Sequence, residues 1–244
     1  MQIEGKVALV TGANRGIGKA FADALFERGA SKVYAAVRDP SSVTDPRLVP
    51  VQLDVTDTEG IARLATELAD VELVVNNAGI GQVGTPLDSS LDAARQQLET
   101  NYLSILSMTQ AFAPVLARKG GGAFVNVLSV ASWIASPILT TYAASKAAAW
   151  SYTNAARVVL KGEGTHVVGV HVGFVDTDLT AGLQTDKIAP AAVAAAALDA
   201  LEANEPEAVV DDYSRAVKAG LSDDQRTLYP QVEEQYLALA GQAS

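Results

Sequence analysis

The 244-residue sequence contains no cysteine, so neither disulfides nor thiolate metal sites can hold it together, a composition that fits a reducing compartment. Histidine is scarce too. The two present, His166 and His171, lack the spaced carboxylates or further histidines of a metal site and read as core or edge residues of a strand. There is no GxSxG turn to support a Ser-His-Asp hydrolase. Basic side chains number 18 against 28 acidic ones, a net charge of −10, which repels phosphate backbones and anionic membrane faces. No run of about 18 apolar residues occurs, and residues 1–5 carry no basic segment leading into an apolar one. The reading is a soluble, cytoplasmic chain with no nucleic-acid, membrane or metal partner.

What is present is apolar. Nearly half the residues are hydrophobic and 19% are charged, enough for a large core and no case for disorder. Short apolar runs at 6–11, 33–37, 49–53, 73–75, 124–128, 167–172 and, more weakly, 208–210 alternate with helical patterns at 17–28, 58–69, 89–117, 141–161 and 190–203. Strands apolar on both faces, separated by helices, specify a parallel sheet covered on both sides. The fold class is doubly wound α/β with seven parallel strands. No linker or repeat divides the chain, so residues 1–244 form a single domain. The polar connection at 176–188 exceeds the roughly two to six residues usual for such loops; it reads as a substrate lid at a strand's carboxyl end, the alternative being a plain surface loop.

After the first strand comes a glycine turn spaced GxxxGxG, in which Asn14, Arg15 and Ile17 stand between glycines. Gly12 allows the tight turn, Gly16 lets the backbone approach a pyrophosphate, and Gly18 permits close helix packing, while the helix N-terminus offers unpaired N–H groups to an anion. Where an NAD site would place a carboxylate at the end of the second strand, the chain has Val37. Arg38 follows, with a guanidinium fork suited to a 2′-phosphate, and Arg15 can add a second charge. NADP(H) is therefore favoured over NAD(H); the alternative has Asp39 reaching the ribose and Arg38 in solvent. At the end of the third strand, Asp54 and Val55 suit an adenine edge and face, although Asp54 suits a turn and Asp57 a helix cap equally well. Asn76 and Asn77 can tie strand ends together, and Ala78 and Gly79 leave room for a flat ligand.

Ser129 closes the fifth strand, and Tyr142 and Lys146 follow on one face of a helix, one turn apart. An ammonium beside a phenol favours the phenolate, as does an oxidised nicotinamide ring, so Lys146 is expected to move the Tyr142 titration toward working pH. Ser129 can hold a substrate oxygen as charge develops on it. Between them, Val130, Trp133, Ile134, Ile138 and Leu139, with Phe174 and the loop 179–183, suggest an apolar pocket; simple packing under the lid is the other reading.

These residues, Thr11-Gly12-x3-Gly16-x-Gly18, Asn76-Asn77-Ala78-Gly79, Ser129 and Tyr142-x3-Lys146, in that order and spacing, resemble the short-chain dehydrogenase/reductases over about residues 5–203. The resemblance implies a Rossmann-type sheet, NAD(P)(H) at its carboxyl edge in contact with Tyr142 and Lys146, and reversible hydride transfer between the nicotinamide and a carbonyl or alcohol carbon. It implies that Asn101 joins Lys146 through a water in a proton relay, that Gly173, Val175 and Thr177 meet the nicotinamide end, and that the helices near 89–117 and 141–161 build a homodimer or homotetramer. The alanine-rich helix at 141–161, apolar around much of its circumference, agrees with a second buried face. One position departs: Val172 stands where the family usually has proline, and a looser turn is expected there. The leading expectation is an NADPH-dependent reductase of a small hydrophobic ketone or aldehyde with Tyr142 as general acid/base. The alternatives are an NAD-dependent alcohol dehydrogenase of the same family and a non-catalytic dinucleotide-binding sensor.

Overall fold

Among the residues that the computed structural model describes, 1–182 and 185–242, seven short strands line up in parallel. They are β1 (Val7–Thr11), β2 (Lys32–Val37), β3 (Val49–Gln52), β4 (Leu73–Asn76), β5 (Ala123–Val127), β6 (His166–His171) and β7 (Glu207–Val209). The order across the sheet is β3-β2-β1-β4-β5-β6-β7, the doubly wound arrangement expected from the sequence. Successive strand residues point to opposite faces. Val10, Val75 and Val125 join one buried cluster with Phe21 and Leu25 of α1 (Gly16–Glu27) and Val193 and Leu198 of α6 (Pro190–Glu202). Leu9, Val74 and Phe124 join the other, with Ile61 of α2 (Thr58–Glu67), Phe112 of α4 (Ser104–Arg118) and Leu160 of α5 (Thr140–Lys161). Full burial on both sides is why these strands carry no polar alternation.

The chain leaves β1 toward one edge and returns through β4 on the other side of it. That reversal opens a crevice beyond the carboxyl ends of β1 and β4, the place where sheets of this kind bind ligands. Polar bonds brace it. The Thr11 hydroxyl accepts from the Asn77 and Ala78 N–H groups at 2.9 and 3.0 Å, and Asn77 Nδ2 donates to the Thr11 carbonyl at 2.9 Å. Asn76 Nδ2 donates to Asn126 Oδ1 at 2.8 Å, and Asn126 Nδ2 to the Thr153 hydroxyl at 3.0 Å, all buried. This chain of amides fixes β4, β5 and α5 to one another where the next residues of each reach the crevice.

Two expectations change. The single helix expected over 89–117 is two, α3 (Leu91–Leu98) and α4, joined by a π turn at Glu99–Leu103. The wider turn seats the buried Asn101, whose amide bonds to the Ile80 backbone in both directions, at 2.9 and 2.8 Å; a side chain drawn inward in this way is a common cause of such bulges. Past β7, where no helix was expected, lie α7 (Asp212–Gly220), α8 (Asp224–Thr227) and α9 (Tyr229–Gln242). The connection at 176–188 carries a 3-10 turn at Asp178–Thr180 and closes on itself through Asp176 N–H to the Ile188 carbonyl at 2.9 Å.

Replacing Asn126 with leucine strands the Asn76 amide in the core. A buried polar group left unpaired costs about 1–3 kcal/mol, so Asn126→Leu should lower unfolding stability in urea by about 2 kcal/mol with an unchanged slope. A loss under about 0.5 kcal/mol would show that the amide chain contributes little.

Candidate active site

The crevice widens into a cleft of about 2030 Å³ that runs from the glycine turn past the end of β5 to the C-terminal helices. At its glycine end, α1 begins without a side-chain cap and without an acidic residue in its first turn. Its first N–H groups and the positive end of the helix therefore face the cleft, a ready anion site. Gly16 has φ of +53°, a left-handed conformation that disfavours a side chain. A Cβ at Gly18 would stand 2.1 Å from the Gly12 carbonyl oxygen, so the helix can approach β1 only with glycine there. Gly18 itself does not line the cleft, whereas Gly12, Asn14, Arg15, Gly16 and Ile17 do. This cradle, with its backbone donors and no carboxylate of its own, fits a dinucleotide pyrophosphate, with Asp178 paired to Arg15 at its edge.

At the next two strand ends, Arg38, Asp54 and Val55 line the same cleft. Arg38 is exposed and makes no ion pair among the described residues. Asp39 is committed locally: Oδ1 accepts from the Ser41 N–H at 3.0 Å and the Ser41 hydroxyl at 2.7 Å, which hold its carboxyl below the usual carboxylate range. Asp54 Oδ1 likewise accepts from the Thr56 N–H and hydroxyl, at 3.0 and 2.8 Å, and Asp57 caps α2 through the Gly60 N–H at 2.9 Å. The turn and cap alternatives are thus realised, with Asp54 still facing the cleft. Arg15 does not stand free. Its guanidinium pairs with Asp178 Oδ2 at 2.6 Å, linking the glycine turn to the segment that crosses the far side of the cleft.

Ser129, Tyr142 and Lys146 also line the cleft. Ser129 begins a 3-10 turn just past β5; its hydroxyl accepts from the Ala131 N–H at 3.1 Å and donates to the Val172 carbonyl at 3.4 Å. Lys146 is 5% exposed, its Nζ donating to the Val127 carbonyl at 2.8 Å and lying 5.8 Å from the centre of the Tyr142 ring. Burial pushes this amine from its ordinary 10.5 down to about 8. Burial also raises the Tyr142 phenol above its ordinary value, with the Ser129 hydroxyl opposing the shift. The net direction for the phenol is thus upward, set by burial against the Ser129 hydroxyl. Taking either charge out of water disfavours it, which moves the amine down and the phenol up.

Asn101 does not line the cleft. It is 1% exposed and donates to the Ser145 hydroxyl at 2.9 Å besides its two bonds to Ile80. It is nonetheless close to Lys146, since a Cβ on Gly79 would lie 3.2 Å from Asn101 Oδ1 and 3.7 Å from Lys146 Nζ. Asn77, Ala78 and Gly79 line one side of the cleft, and Gly173, Val175 and Thr177 line another. The turn at Val172 is not loose. The Val172 carbonyl accepts from the Val130 N–H at 3.0 Å, and the Gly173 N–H donates to Asp211 Oδ2 at 2.8 Å.

Of the expected apolar wall, Val130, Ile134, Ile138, Leu139, Phe174 and Leu179 face the cleft. Trp133 does not; it turns inward and stacks on His171. Leu183 lies outside the described residues. Tyr213, Val232, Gln235 and Tyr236, from the C-terminal helices, complete the wall and were missed. Leu228, Val232 and Tyr236 recur every fourth residue, a helical spacing that would have revealed them. No group of three or more histidine and carboxylate side chains among the described residues could hold a metal, and no described helix is long and apolar enough to cross a membrane.

The sequence model of the family described as short chain dehydrogenase matches residues 6–188. The chain is 34% identical over 196 residues to the 3-oxoacyl-(acyl-carrier-protein) reductase FabG of Vibrio harveyi, covering 77% of this chain and 80% of that protein. It is 33% identical over 186 residues to a sorbitol dehydrogenase of Cereibacter sphaeroides, covering 72% and 73%. In structure it is similar to a short chain dehydrogenase from Burkholderia cenocepacia J2315 in complex with NADP, at 40% identity and a TM-score of 0.91, covering 95% of this chain and 99% of that one.

The lowered Lys146 value carries a stability signature. Between about 8 and 10.5 the unfolded chain binds the lysine proton and the folded chain does not, so stability attributable to this group rises with pH across that window. Lys146→Met should be more stable than the unaltered protein at pH 7, by a margin that shrinks as pH approaches 10.5. A margin independent of pH would show that the amine is not desolvated.

Proposed function

Because the chain belongs to the short-chain dehydrogenase family and is an NAD(P)-dependent oxidoreductase, we propose that it works as an NADPH-dependent reductase of a small hydrophobic ketone or aldehyde. The observation that carries the reading is the single cleft in which Ser129, Tyr142 and a buried Lys146 stand beside an uncapped helix N-terminus. The pyrophosphate rests on the turn of Gly12, Asn14, Gly16 and Ile17, with Gly18 allowing the helix to come close. Arg38, and Arg15 on release from Asp178, would hold the 2′-phosphate. Asp54 and Val55 hold the adenine, and Asn77, Ala78 and Gly79 form the floor. Gly173, Val175 and Thr177 meet the carboxamide, while Tyr142 and Lys146 reach the nicotinamide ribose. The use of NADP is supported by the complex of the 40% identical Burkholderia protein and by Arg38, exposed at the cleft.

Bound NADPH supplies the hydride for the carbonyl carbon. The remaining work falls to the chain. Ser129 donates its hydroxyl hydrogen to the substrate oxygen and holds it as negative charge grows there. Tyr142, protonated near neutral pH as any ordinary phenol is, gives that oxygen its proton and completes the alcohol; Lys146 and Asn101 lie on the route by which the phenol is reprotonated. The apolar wall of Ile134, Ile138, Leu139 and Phe174 excludes water and selects an uncharged substrate. On the outer surface, Val158 and Val159 of α5 are 78% and 68% exposed, which supports pairing of α4 and α5 with those of a second copy in a homodimer or homotetramer.

A panel of aryl and alkyl ketones, aldehydes and 3-oxoacyl thioesters, followed by NADPH absorbance, tests the reading. Uncharged ketones should turn over fastest, and Tyr142→Phe should lower kcat by about 10²–10⁴. Arg38→Leu should weaken use of NADPH about tenfold while sparing NADH. Equal turnover by Tyr142→Phe would overturn the mechanism, and an NADH preference in the unaltered enzyme would overturn the cofactor.

A further inference from the structure

Directly behind Ser129 lies a polar cluster that the reaction described above does not use. His171, the last residue of β6, is fully buried. Its ring lies flat on Trp133, with centroids 3.8 Å apart and planes 15° from parallel. Nδ1 is 3.2 Å from the Ser129 carbonyl oxygen. A carbonyl can only accept, so this contact assigns a proton to Nδ1. Nε2 is turned toward Glu207 Oε1 on β7, at 3.6 Å. The other carboxylate oxygen pairs with Lys218 of α7, whose Nζ lies 5.7 Å over the Trp133 ring. The His171 ring and Lys218 hold the Glu207 carboxyl down to about 2, so it faces the imidazole as an anion.

An aliphatic side chain would fill the space under Trp133 without needing any polar partner, whereas a buried imidazole is costly unless its nitrogens are used. Here only Nδ1 is used, on the Ser129 peptide group, while Nε2 has no hydrogen-bond partner among the described residues. The Ser129 carbonyl accepts from His171 and also from the Ser132 N–H at 3.0 Å, while its hydroxyl sits between the Ala131 N–H and the Val172 carbonyl. Rotation of that peptide would swing the hydroxyl away from the cleft. The geometry points to His171, held flat against Trp133 with Nδ1 on the Ser129 carbonyl, as a positioning residue that fixes the orientation of Ser129 toward the substrate oxygen. This rests on the proposed role of Ser129 and concerns neither contact with substrate nor proton transfer to it.

The test is a double-mutant cycle of His171→Phe, which keeps the stack on Trp133 and removes the donor, with Ser129→Ala. Initial rates are measured with NADPH and the best ketone of the panel, and folding is followed by thermal melting. His171→Phe alone should lower kcat about tenfold, the scale of one lost hydrogen bond at a transition state, with both KM values within about twofold. In the Ser129→Ala background it should change kcat by less than about twofold, because neighbours acting as a unit are not additive. The same tenfold loss in both backgrounds, or no loss in either, would overturn the proposal. If His171→Phe does not fold, His171→Leu serves instead: it too removes the donor to the Ser129 carbonyl, and should lower kcat about tenfold with Ser129 present and by less than about twofold without it. A Ser129→Ala enzyme with full activity would defeat the role given to Ser129; a crippled one with an additive His171→Phe effect would defeat only that given to His171.

Discussion

An amine almost wholly removed from water, with one carbonyl oxygen as its protein hydrogen-bond partner, is the constraint on which the rest of this site depends. Lys146 reaches Val127 across the seam between α5 and β5, and it can do so only if that seam is closed to solvent and held in register. The Asn76–Asn126–Thr153 chain supplies the register from inside the sheet. The desolvation that results lowers the amine and raises the phenol one turn away. A structure that exposed Lys146 would gain stability near neutral pH.

The same sheet topology explains why residues far apart in sequence converge. Because the chain reverses direction beside β1, the carboxyl ends of β1, β4 and β5 face one crevice, and each strand is followed by residues too small or too polar to fill it. The glycine turn leaves the α1 amides uncapped, Ala78 and Gly79 leave a floor, and Ser129 presents a hydroxyl. Membership of the short-chain dehydrogenase family accounts for the cofactor half of this cleft. The far half, walled by α9 and by Phe174 and Tyr213, is built from elements beyond the matched residues or at their end.

Much of this was legible beforehand, and what was not has identifiable causes. Continuous apolar strands and helices between them carry their own signal, so the sheet was readable almost to the residue. Tyr142 and Lys146 were readable because helical spacing alone puts them on one face. Their electrostatics were not: attraction between a cation and a phenolate follows from sequence proximity, whereas the opposing cost of burial depends on how tightly α5 closes on β5. The π turn at Glu99–Leu103 was hidden because it arises from a bond between Asn101 and Ile80, 21 positions earlier. Trp133 looked like pocket lining from its neighbours in sequence, yet the buried ring of His171 offers it a better surface. The turn at Val172 looked loose by comparison with proline, but Asp211, 38 residues on from Gly173, holds it.

The central claim is that burial raises the Tyr142 phenol above its ordinary value in the folded chain, against the opposing Ser129 hydroxyl. The most direct measurement is the titration of that one phenol by NMR in protein labelled at the tyrosine ζ carbon, with the resonance assigned by its loss in Tyr142→Phe. The account predicts a midpoint above the ordinary value of 10. A Tyr142 resonance already in the phenolate form near neutral pH would contradict it and return Lys146 to the role of direct electrostatic activator.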